Sequence, residues 1–109
     1  MSEAAAPTLR QHAVGARIEL ANFRSERDAA LAALTEVQAY EGGRLRIDLG
    51  GVEAASSLLL ALLIGLLREA AAVAVTVEFA RVPATVITMI EFSGLEGVLP
   101  LLSVEEPQP

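Results

Sequence analysis

Side chains of the kinds that do chemistry stand at few places in this 109-residue chain: His12, Asp48 with Gly50 and Gly51 behind it, and the pair Ser56 and Ser57. His12 is the sole histidine and has no carboxylate or nucleophile motif beside it, so a surface or capping place suits it better than proton transfer. Asp48 is one carboxylate without a histidine or second acid at a spacing that makes an acid–base pair or a metal set. Gly50 and Gly51 are followed by no Walker lysine and lack the glycine spacing of a dinucleotide fold. Cysteine is absent, which excludes disulfides and thiolate metal sites. The expectation is a chain with no catalytic residue, no metal and no cofactor.

The two serines read in two ways. At a helix start a hydroxyl accepts a free backbone N–H, worth about 1 kcal/mol, and that alone accounts for them. The other reading is contact with a partner. A phosphate on Ser57 suits a helix N-terminus but brings a charge of about −2, enough to repel a bound surface.

Composition narrows the partner. A net charge of −6 and a pI near 4.7 argue against nucleic-acid backbones and anionic lipid headgroups, which need clustered Lys or Arg; a protein partner remains. The chain is 53% hydrophobic but only 4% aromatic, so its core is expected from Leu, Val and Ile. Its length suits one domain, expected over residues 8–104 between tails at 1–7 and 105–109. The N-terminus lacks a secretory signal. Residues 58–67 are an unbroken apolar run, half of a bilayer span, and lengthening it would put Arg68 and Glu69 in hydrocarbon. A buried helix, no direct membrane insertion and a cytoplasmic location are therefore expected.

The elements that position these residues follow from periodicity. Residues 8–14 suggest a short edge strand, and residues 16–23 a second, because Ile18 and Leu20 alternate with Arg17 and Glu19. Ser25 and Asp28 have capping-box spacing and predict a helix start, with Ala30, Leu31, Leu34 and Val37 as its apolar stripe and Gly42 and Gly43 at its end. Leu45, Ile47 and Leu49 alternate with charged residues as a strand covered on one face. A Leu-rich helix over about 56–71 follows, then a strand over 73–79. Pro83 opens a last helix running to Phe92 and closed by Gly94, and a short turn covers 95–102. This β-β-α-β-α-β-α order predicts an α/β fold, a four-stranded mixed sheet with helices packed on one face.

On the Leu-rich helix, Ser57, Ala61, Gly65 and Arg68 share one face, a strip of small residues on which another backbone approaches closely. With Ser56 and Leu58 they form the expected partner-binding edge. The alternative is that the helix, apolar all round for nearly three turns, is simply buried between two neighbours.

The string from Arg44 to Leu67 resembles the central signature of STAS domains: an apolar strand ending in Asp and a small residue, a short loop, Asp-Ser or Asp-Thr, then a Leu-rich helix. Asp48 matches the strand-end Asp, and Ser57 falls at the family's regulatory Ser or Thr. Ser56 stands in place of the usual Asp, and Leu58 and Leu59 in place of small residues. Residues 77–102 resemble the family's last strand, Val-Pro turn and apolar helix. Among STAS branches the chain is most similar to the MlaB-like cytoplasmic subunit of Mla-type phospholipid ABC transporters. That resemblance implies a non-catalytic interaction subunit that binds and supports the transporter's ATPase, held at the inner membrane through its complex and serving outer-membrane lipid asymmetry. Two alternatives stand beside it: an anti-sigma factor antagonist regulated by phosphorylation of Ser57, and a nucleotide-binding switch domain. An uncovered apolar helix also favours a homodimer of the isolated chain.

Overall fold

The computed structural model describes residues 9–95 and residue 97. Its elements run β1 (Leu9–Ala13), α1 (Leu20–Gln38), β2 (Arg44–Asp48), α2 (Ser57–Ala72), β3 (Thr76–Ala80) and α3 (Ala84–Phe92). Among the described residues the sheet is three-stranded, in the order β1-β2-β3, with both pairs parallel. Leu45 pairs in register with Val77 and Ile47 with Phe79, so one face is a continuous apolar surface. Against it lie α1, on β1 and β2, and α2, on β3 and α1. Val86 and Ile90 of α3 join the same core. The opposite face carries Arg44 and Arg46, both paired with Glu78, at 3.5 and 2.8 Å.

The expected second strand over 16–23 is not formed, and this corrects the four-stranded mixed sheet to a parallel three-stranded one among the described residues. Ile18 and Leu20 alternate but do not share a face: Ile18 is 3% exposed and enters the core from a loop, whereas Leu20 is 85% exposed in the first turn of α1. Helix α1 also starts earlier than the Ser25 and Asp28 spacing predicts. Asn22 accepts the Glu19 N–H on its side-chain oxygen at 2.8 Å and donates its own amide to the Arg17 carbonyl at 2.8 Å, closing the helix entry. Ser25 lies inside the helix, its hydroxyl donating to the Asn22 carbonyl. Residues 73–75, expected as strand, are the turn out of α2, with Ala74 at φ 58°. The expected tails and the turn over 95–102 lie, apart from Leu95 and Gly97, outside the described residues.

Candidate functional site

Three parallel strands end on the same side, and the loops that leave them meet there. Ladder-like bonds continue past the strands, from Val14 N–H to the Asp48 carbonyl at 3.1 Å and from Leu49 N–H to the Ala80 carbonyl at 2.9 Å. The chain leaving β2 makes a tight turn, Val52 N–H donating to the Leu49 carbonyl, and then reaches the loop after β1, Glu53 N–H donating to the Ala16 carbonyl at 2.8 Å. Helix α2 begins there. In open parallel sheets this carboxyl end is where binding surfaces are built.

Ser56 is the N-cap of α2, in extended backbone geometry, accepting the Leu59 N–H at 3.1 Å. The same hydroxyl donates to the Ile18 carbonyl at 3.3 Å, so it pins the helix start to the loop before α1. Ser57 is the first residue of the helix and is exposed. Ala61 and Arg68 are exposed too, Gly65 and Leu58 are half-buried, and the apolar bulk of the helix, Leu59, Leu60, Leu62, Leu63, Leu66 and Ala70, faces inward. The helix that reads as apolar all round thus keeps one outward face, where Ser57, Ala61, Arg68 and Glu69 are exposed beside half-buried Leu58, Ile64, Gly65 and Leu67.

That face borders a groove of about 350 Å³ between α1 and α2, with Gly65 and Arg68 on one wall, Arg27 and Leu31 on the other, and Leu62 and Leu66 in its floor. Ser56 and Ser57 sit at the opposite end of the strip from Arg68, about three turns away along the helix. The structure therefore separates the predicted edge into a serine end at the loops and an arginine end at the groove.

Asp48 is held by three hydrogen bonds. Its Oδ1 accepts the Gly50 N–H at 2.8 Å and Arg81 Nε at 3.0 Å, and its Oδ2 accepts from the Arg81 terminal nitrogen at 2.8 Å. Hydrogen bonds from the Arg81 guanidinium hold the Asp48 carboxyl below its ordinary value; the Gly50 N–H and the arginine charge add to this, against burial, which raises it. The carboxylate side chain is 9% exposed and the Arg81 side chain above it 71%. Sequence reasoning did not find Arg81, because a solitary Arg after a strand carries no pattern; the strand-end Asp was its only signal.

His12 stands on β1, on the face that meets α1, and its Nε2 is covered without a hydrogen-bond partner. Among the described residues no three His, Asp or Glu side chains gather as a metal set, and no helix is long and apolar enough to cross a membrane.

Residues 8–103 match the family model described as Mlab, STAS domain. The chain belongs to the MlaB-type STAS domain family. Its fold is similar to that of an anti-sigma-factor antagonist (STAS) domain protein from Planctomyces limnophilus, with a TM-score of 0.69 and 19% identity over 84% of this chain and 79% of that one. No curated protein matches. In this STAS domain the strand-end Asp is Asp48 and the loop behind it leads into the serine end of α2.

Proposed function

We propose that this STAS domain is a non-catalytic docking subunit that binds, through the serine end and outward face of α2, the ATPase of a phospholipid transporter and supports its activity. The observation that carries the reading is the α2 face: Ser57, Ala61 and Arg68 are exposed on a helix whose opposite side, Leu59, Leu62, Leu63 and Leu66, is buried, and Ser57, Ala61 and Gly65 leave room for a partner's backbone. The MlaB-type family match supports the choice of an ATPase as partner and, with it, a place at the inner membrane through the complex. The loop after β2 is a poor nucleotide cradle, since the N–H groups of Gly50, Val52 and Glu53 are already bonded within the protein.

A second reading, an anti-sigma factor antagonist, is favoured by the exposure of Ser57 in the first helical turn, where a kinase reaches it. One experiment separates the two. The purified chain is titrated into the ATPase subunit of an Mla-type phospholipid transporter from the same organism, as wild type and as Ser57→Asp. Tight wild-type binding that falls at least tenfold in Ser57→Asp, with an unchanged melting temperature, is expected, because the partner surface must desolvate the new charge. Equal binding by both proteins removes Ser57 from the interface. No ATPase binding, together with phosphate incorporation at Ser57 by an anti-sigma kinase from the same organism, establishes the second reading.

A further inference from the structure

Arg81 has an uncommon backbone, at φ 54°, in the left-handed region that a residue with a Cβ enters at a cost. Its side chain folds back over the loop after β2 and grips Asp48 with two parallel hydrogen bonds. Gly50 lies directly beneath: a Cβ there would stand 2.5 Å from the Arg81 Cζ, so only glycine lets the guanidinium lie so close. The acid is inside and the base outside, with side chains 9% and 71% exposed. An exposed Arg–carboxylate pair usually contributes little. Here one carboxylate also holds the Gly50 N–H, so the same group that receives Arg81 from β3 shapes the first turn of the loop leading to α2. The helix itself has separate anchors, the Ser56 cap and the buried Leu59 and Leu63.

We infer that Arg81, acting through Asp48, is a positioning residue for the docking edge: it holds the loop after β2 at Gly50, as Ser56 holds its far end at Ile18, and the two together present Ser57 in one place. This rests on the docking reading for its consequence in binding, and on the clamp geometry alone for its consequence in the loop.

The test uses the full chain as wild type, Arg81→Gly and Arg81→Lys. Arg81→Gly removes the guanidinium and also relieves the left-handed backbone, while Asp48 keeps the Gly50 N–H; far-UV dichroism of each variant checks that the fold is retained. Amide exchange is expected to be roughly tenfold faster at Gly50, Val52 and Glu53 in Arg81→Gly, with Leu63 and Leu66 unchanged. Arg81→Lys, which keeps the charge but not the fork, should recover part of the protection. Affinity for the Mla-type ATPase subunit should fall together with loop protection. Wild-type exchange in the loop of Arg81→Gly overturns the inference, and so does equal acceleration at Leu63 and Leu66, which would make Arg81 a global stabiliser. Faster loop exchange with undiminished ATPase binding overturns its role at the docking edge. Wild-type protein that does not bind the ATPase sinks the docking reading instead, and the exchange rates then decide the clamp by themselves.

Discussion

Ser56 and Ser57 are adjacent and chemically identical, yet the chain gives them opposite situations. The Ser56 hydroxyl accepts from Leu59 and donates to Ile18, whereas Ser57 faces solvent. Ser56→Ala is therefore expected to lower stability by about 1 kcal/mol in urea unfolding, and Ser57→Ala to stay within about 0.5 kcal/mol. Equal losses would mean that the cap is shared. His12 makes a pH-dependent case. Burial lowers its pKa from 6.5, Glu26 opposes that by raising it, and Arg10 adds to the lowering. The folded chain thus binds this proton less readily than the unfolded one. Stability from the neutral ring is complete above 6.5 and is lost as pH falls below it toward the lowered folded value. His12→Leu removes the unpartnered Nε2 and should flatten the urea midpoint between about pH 7 and 5 relative to wild type; parallel profiles for the two proteins would contradict this.

At the scale of elements, the entry to α1 shows how a helix start is chosen. Two sets of residues were available, Glu19 with Asn22 and Ser25 with Asp28, at the same spacing. The first set prevails because Ile18 is buried and fixes the chain immediately before the helix, and because Asn22 also reaches back to the Arg17 carbonyl. Asn22→Ala is expected to cost about 1 kcal/mol, measured by thermal melting with far-UV dichroism. Ser25→Ala and Asp28→Ala should each change stability by less than about 0.5 kcal/mol. A larger loss from Ser25 or Asp28 than from Asn22 would move the helix start back to the later pair.

For the whole molecule, the sheet divides labour between its faces. Phe79 is fully buried against Ile47, while Arg46 and Glu78 pair across the open face. Phe79→Ala should destabilise by about 3–5 kcal/mol, a large part of the ~5–15 kcal/mol that holds a small domain. Arg46→Ala should cost no more than about 1 kcal/mol, as expected of a partly exposed ion pair. Denaturant unfolding of both variants checks the contrast, and similar losses would show that the open face is covered by something other than water.

Alternation alone marked β2 and the core of β3, because that pattern satisfies one local period, whereas the unbroken Leu run has no period and marked α2 by being too long for a strand. The strip of Ser57, Ala61, Gly65 and Arg68 was legible because helical spacing places those residues on one face wherever the helix packs. Tertiary contacts decided the rest. Ile18 and Leu20 alternate like a strand, but burial of Ile18 from a loop and the Asn22 cap outweigh that short pattern. The Asp48–Arg81 clamp joins residues 33 positions apart in the chain. No periodicity links them; only the parallel pairing of β2 with β3, which sets Asp48 opposite Ala80, brings the next residue within reach of the carboxylate.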